Sequence, residues 1–213
     1  MRIFIFNMPK KNFSNNELYQ LHPISMETVI EYQKHEIGEP FVIFIKVPLE
    51  SDKFIDDHKH FTKSNINVCY ASPRSAGNPR DWYETQLNVS ASVRSKEGYP
   101  FKGVPFFVVT DDGYGFMAHT TSANNKQFAA VGDELILGKW LKGRLVSEGL
   151  VEPVINTLQD KARKGMITKE MLIEYGCNAI AFQKTDLMIP DPIQPKNRYE
   201  VWTLKLIQIE DEE

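Results

Sequence analysis

Pro105-Phe-Phe-Val-Val-Thr-Asp-Asp-Gly-Tyr-Gly-Phe-Met-Ala-His119 reads as two strands joined by a tight turn. Pro105–Thr110 and Tyr114–His119 are rich in Val, Phe and Tyr. Between them, Thr110-Asp-Asp-Gly-Tyr114 supplies the Asp-Gly pair whose positive φ values a primed hairpin turn requires. Outward from this hairpin, further strand signals cover Arg2–Asn7, Phe41–Val47, Asn65–Tyr70, Gln86–Val93, Asn178–Gln183 and Tyr199–Ile209. Helical patterns are fewer. They cover Ser25–Lys34, Leu135–Val146 (with Leu137, Leu141 and Leu145 at helical spacing), Val154–Lys164 and Thr168–Tyr175. The last opens on the capping pattern Thr168-Lys-Glu-Met and closes at Gly176. Lys184–Arg198, with Pro190, Pro192 and Pro195, reads as an extended connector. Many strands with a few short helices predict a mainly β chain of the α+β class, a mixed sheet or an open β-barrel with peripheral helices.

The 213 residues, 42% of them apolar, suffice for one domain or one domain with an extension. No run approaches the roughly 18 apolar residues of a membrane helix, and Met1-Arg-Ile-Phe-Ile-Phe-Asn-Met8 is too short for a signal peptide. The expectation is a soluble cytoplasmic protein. Cys69 and Cys177 form neither a disulfide framework nor a metal cluster and read as buried small hydrophobes in a reducing compartment. Net charge is −3. Four of the 28 acidic residues lie in the tail Glu210-Asp-Glu-Glu213, which leaves the rest nearly balanced against 25 Lys and Arg. Such a body can still hold a basic face, so charge neither makes nor excludes a nucleic-acid partner.

Directly after the hairpin comes Thr121-Ser-Ala-Asn-Asn-Lys-Gln-Phe128, a run of amides, a hydroxyl and an amine. Asn and Gln pair bidentately with adenine, and Lys reaches guanine or a phosphate oxygen. A polar surface turn is the plain alternative. A second polar stretch is Ser72-Pro-Arg-Ser-Ala-Gly-Asn-Pro-Arg-Asp-Trp-Tyr-Glu84. There Arg74 and Arg80 can fork onto guanine or phosphate, Asn78 can reach adenine, and Trp82 or Tyr83 can brace the loop, which is stiffened by Pro73 and Pro79. Its plain alternative is a surface loop with an anchoring Trp. Lys139, Lys142 and Arg144, in the helical segment that follows, suit phosphate contacts, whereas Trp140 suits the core. His119 leads into the Thr121–Gln127 run. Lys161, Arg163 and Lys164 suit a solvated helix face.

Catalytic signatures are weak. His58-Lys-His-Phe-Thr-Lys63 lacks the His-x-Lys arrangement of a phospholipase-D-type site. Asp111-Asp112 occupies the hairpin turn, and Asp133-Glu134 opens a helix, where acids favour the dipole. His22, His35 and His119 lack zinc-ligand spacing. No catalytic residue, metal or cofactor is assigned.

Five segments stand in an order that resembles a known family. They are Ser72–Arg80, Pro105–Gly113, Asn124-Asn-Lys-Gln127, Leu137-Gly-Lys-Trp-Leu-Lys-Gly-Arg-Leu145 and Ile167–Gly176. The order is similar to that of the C-terminal DNA-binding domain of NgoFVII-type restriction endonucleases. The resemblance covers roughly residues 66–185. It implies a DNA-binding pseudobarrel related to the B-three domain of plant transcription factors and to the recognition domains of EcoRII-type and BfiI-type enzymes. It also implies two arms that read duplex DNA, matching Arg74–Tyr83 and Thr120–Gln127 here. Residues 1–65 then form an N-terminal extension of unassigned role, too short for the phospholipase-D-type nuclease domain of family members. Residues 186–213 form a connector, a final strand and an acidic tail, and Ser147–Gly165 reads as an insertion.

The expected DNA-binding set is Arg74, Ser75, Asn78, Arg80, Asp81, Trp82, Tyr83, Lys102, His119, Thr121, Ser122, Asn124, Asn125, Lys126, Gln127, Lys139, Lys142 and Arg144. Within it Lys102, Lys139, Lys142 and Arg144 hold the backbone. The expected function is sequence-specific binding of double-stranded DNA as the recognition module of a restriction system, alongside a nuclease domain or subunit. A nuclease with its site in the first 65 residues or on a partner chain is the alternative, and a protein-interaction barrel the third reading.

Overall fold

The computed structural model describes residues 20–55, 66–71, 73–74 and 77–210. Its strands are β1 (His22–Pro23), β2 (Phe41–Phe44), β3 (Leu87–Asn88), β4 (Phe106–Thr110), β5 (Tyr114–Thr121), β6 (Gln127–Ala130), β7 (Ala179–Pro190) and β8 (Arg198–Ile207). Among the described residues four α-helices accompany them: α1 (Met26–Gln33), α2 (Ala91–Arg94), α3 (Ile136–Ser147) and α4 (Lys169–Tyr175). The strands join in one sheet in the order β2-β7-β8-β4-β5-β6-β3, with β1 on β5. Pairings are antiparallel except that of β4 with β8. Among the described residues no helix is long and apolar enough to cross a membrane.

The β4–β5 hairpin forms where its sequence predicts, but across the three residues Asp111–Gly113 rather than a two-residue primed turn, since Asp112 does not share the positive φ of Gly113. Gly113 has φ +90°, and the Thr110 hydroxyl donates to Asp112 at 2.6 Å while accepting from the Tyr114 N–H at 2.9 Å. A side chain at Gly113 would also meet the Ile24 carbonyl oxygen at 2.8 Å. With β5 on one edge and β8 on the other, every residue of β4 is buried. Alternation along the strand sends Phe106 and Val108 into the main core, and Phe107 and Val109 into a second cluster with Val29 and Tyr32 of α1.

The sheet curls into a nearly closed barrel. Its interior carries Phe41, Phe106, Phe128, Phe182 and Trp202 in mutual ring contact, with centroid separations of 5.2–6.0 Å. The gap between the edge strands β2 and β3 is filled from the loop side. Tyr99 sets its ring edge-on to Phe41 at 5.6 Å, and Val93 of α2 packs on the same core. Helix α3 covers the barrel with Leu137, Trp140, Leu141 and Leu145.

Several local expectations are corrected. Val68–Tyr70 is a 3-10 turn rather than a strand. It is held because the Asn67 side chain donates to the Ile167 carbonyl at 2.7 Å and accepts from the Ile167 N–H at 3.1 Å. The Gln86–Val93 strand shrinks to Leu87–Asn88, because the Ser90 hydroxyl caps α2. Val154–Lys164 forms turns instead of a helix, and Ile155 and Leu158 point outward. The Lys184–Arg198 connector is instead the continuation of β7, a turn and the start of β8. Asp191 closes that turn by accepting from Ile193 N–H at 2.8 Å and Gln194 N–H at 3.1 Å. The sheet thus draws on strands at both flanks of residues 66–185. The strand expected at Arg2–Asn7 lies outside the described residues.

Candidate nucleic-acid interface

The Thr121–Gln127 segment joins β5 to β6, with Thr121 paired to Gln127 across its base. Its backbone is bent hard: Ser122, Asn124 and Asn125 have φ of 69°, 55° and 57°. This left-handed region is costly for side-chain-bearing residues, and Asn enters it most readily. Side chains hold the bend in place. The Ser122 hydroxyl donates to the Gln127 amide oxygen at 2.7 Å, and the Asn125 amide nitrogen donates to the Pro100 carbonyl at 2.7 Å. The Tyr99 hydroxyl donates to the Asn125 carbonyl at 3.2 Å, and the Arg94 guanidinium to the Asn124 carbonyl. Ser122, Asn125 and Gln127 therefore shape the arm. Asn124 and Lys126 are exposed, and among the described residues their side chains engage no partner.

The second polar loop has other neighbours. Arg74 pairs with Glu84 at 2.9 Å and with Glu134, and Arg80 pairs with Glu84. Asp81 accepts from the Tyr83 N–H at 2.8 Å, a local turn contact. Asn78 is exposed. Ser75 lies outside the described residues. Pairing of β3 with β6 sets Leu87 against Phe128 and Asn88 against Gln127. Residues before β3 therefore run toward Ala130 and Glu134, whereas those after it run toward the arm. The arm's supports come from residues 94–100, and those of the Arg74–Glu84 loop from α3, its start and Gly165.

Three expected contacts, those of Trp82, Lys142 and Arg144, are corrected by burial or pairing. Trp82 is 3% exposed, and its indole N–H donates to the Gly165 carbonyl at 2.7 Å, so it braces the loop from inside. Lys142 is 0% exposed. Its ammonium donates to the Trp82 carbonyl, to the Glu84 carbonyl at 3.2 Å and toward the Cys69 sulfur at 3.7 Å, and lies 5.0 Å from the Trp82 ring centre. Burial pulls its pKa down and pushes the Cys69 thiol up. No phosphate reaches it. Arg144 pairs with Asp111 and donates to the Tyr175 hydroxyl at 2.7 Å, locking α3 and α4 to the hairpin turn. That turn is the far end of β5 from the arm, about 23 Å away at roughly 3.3 Å per residue. His119 is half-buried within β5 opposite Ala129, and burial lowers its pKa. Lys139 is exposed and pairs with Asp133 at 3.1 Å, a surface pair of small energetic weight. Tyr83 packs edge-on against Trp82, and Lys102 and Thr121 lie beside the arm.

Next to the arm lie residues that, apart from Lys102 and Asn125, the sequence did not single out. A groove of about 440 Å³ is lined by Arg94, Lys96, Phe101, Lys102, Lys184 and Asn125, among others. Phe101 is 82% exposed at its rim. The further signal in the sequence was the aromatic–basic interleaving of Lys96-Glu-Gly-Tyr-Pro-Phe-Lys-Gly103, of which Lys102 alone was expected to contact DNA. His58–Lys63 lies outside the described residues.

The family model of the NgoFVII C-terminal B3-like DNA-binding domain matches residues 33–175, more than half of the chain. No curated protein matches it.

Proposed function

Since the chain belongs to the family of the NgoFVII C-terminal B3-like DNA-binding domain, we propose that it reads duplex DNA sequence-specifically, as the recognition module of a restriction system. The observation that carries this reading is the arm. It is braced from beneath by Arg94, Tyr99 and Pro100, and it offers the unengaged side chains of Asn124 and Lys126. A preshaped loop loses little conformational freedom on binding, so its amide and ammonium suit base-edge recognition in a major groove. Arg74 and Asn78 form the second reading element, with Arg80 held behind them by Glu84. Arg74 would exchange its exposed partner Glu134 for DNA, a near-neutral exchange for a surface pair, while the buried Glu84 keeps its pairing with Arg80. Lys96, Lys102 and Lys139 supply phosphate contacts. Nuclease activity belongs to a separate domain or subunit acting with this one.

Binding selection on random duplexes, followed by titration at several salt concentrations, tests the reading. Asn124→Ala is expected to cost about 1–3 kcal/mol at one base position and little elsewhere. Lys102→Ala is expected to weaken all sequences alike and to lower the slope of log affinity against log salt by about 0.9. Equal losses on every sequence from Asn124→Ala would sink the specificity claim. An affinity indifferent to salt would favour a protein-interaction barrel.

A further inference from the structure

Phe101 has the exposure of a residue on a floppy tip, yet its backbone is pinned. The Thr120 hydroxyl lies 3.2 Å from the Pro100 carbonyl and 3.3 Å from that of Phe101. The Gly103 N–H donates to the Thr120 carbonyl at 2.8 Å, and the Val104 N–H to that of Phe101 at 3.2 Å. Pro100 is buried and also receives the Asn125 amide of the arm. The ring is thus held out into water at a set distance from the arm. It has an exposed apolar neighbour, Val104, and Arg94, Lys96, Lys102 and Lys184 around the same groove. Glu200 pairs with Lys184, whereas among the described residues Lys96 and Lys102 have no counter-ion.

A rigid exposed aromatic ringed by cations is poorly suited to packing against a neutral protein surface. It is well suited to a base stack flanked by phosphates, because every base offers a π-face and every step offers negative charge. We propose that Phe101 is a wedge: when the arm engages duplex DNA, its ring enters the adjacent base step and unstacks it, while Lys96 and Lys102 hold the flanking phosphates. This inference rests on the duplex-binding reading above.

The test uses the full chain and selected duplexes with 2-aminopurine substituted at successive positions. Binding is expected to raise 2-aminopurine emission at one step beside the arm's contact. Phe101→Ala should abolish that rise and weaken binding about tenfold, while leaving the salt slope unchanged. Phe101→Trp should retain the rise. The site is exposed, so folding of these variants is not at stake. Duplex binding without an emission change, or a change that survives Phe101→Ala, overturns the wedge alone. Failure to bind any duplex overturns both readings. Tighter binding of single strands than of duplex, with Phe101-dependent emission, assigns the ring to an unpaired strand and also overturns the wedge.

Discussion

An ammonium taken out of water needs its hydrogen bonds replaced, and Lys142 replaces them with two carbonyls, a thiol and an indole face. Those carbonyls belong to Trp82 and Glu84, so the lysine fixes the chain from which the Arg74 and Arg80 pairs are held. Its role is structural. Lys142→Ala removes the stem and orphans two buried acceptors, and should lower unfolding free energy by about 2–5 kcal/mol in urea titrations. Lys142→Met, which keeps the stem, should lose less. Neither should change the salt slope of DNA binding under folding conditions. A reduced slope with unchanged stability would restore Lys142 as a phosphate contact. Asn124 and Lys126 are the contrasting case. Their chemistry was readable from the sequence, and their freedom to act depends on Ser122, Asn125 and Gln127 being spent on the loop itself.

Helix α3 shows why propensity alone misleads at the scale of elements. Gly138 is an inefficient helix residue, and replacing it by Ala in isolation would favour the helix by about 1 kcal/mol. Here a Cβ would overlap the Tyr83 carbonyl oxygen, a backbone atom that cannot step aside. Gly138→Ala should therefore destabilise the protein by about 1–3 kcal/mol or more, read as a lower urea midpoint. A raised midpoint would mean that α3 does not dock on the Tyr83 backbone. Elements set by local pattern were legible: the β4–β5 hairpin, α1 behind its Ser25 cap, and α3 and α4, although α4 starts at Thr168 without the side-chain cap its sequence offered. Elements that depend on distant partners were not. The 3-10 turn at Val68–Tyr70 needs Ile167, two-residue β3 needs β6, and the turns at 154–164 need Tyr70 and Trp82.

At the scale of the molecule, the apparent insertion Ser147–Gly165 serves as a clamp. The Tyr70 hydroxyl donates to Asp160 at 2.8 Å, the Thr157 hydroxyl to the Cys69 carbonyl at 2.8 Å, and Trp82 to Gly165. Although burial works to raise its pKa, hydrogen bonds from the Gly165 N–H, the Tyr70 hydroxyl and the Lys164 N–H hold Asp160 below the usual carboxylate range. A depressed carboxylate stabilises the fold above its unfolded pKa of about 3.9, and that stability is lost as pH falls through the folded value. Asp160→Asn should thus lower stability at neutral pH and flatten the acid limb of a stability-against-pH profile. An unchanged acid limb would remove Asp160 from that role. The sequence by itself determined that the chain is β-rich, that a hairpin leads into a polar arm, and that the arm carries amide and ammonium side chains, because these follow from local pattern and side-chain type. Only the tertiary structure decided which cations face solvent, since burial of Lys142 and pairing of Arg144 with Asp111 arise between segments far apart in the chain. It also decided the arm's neighbours. The register of β3 on β6 carries the chain after Asn88 toward the arm, where Arg94, Tyr99 and Asn125 tie the two together and Phe101 stands beside it.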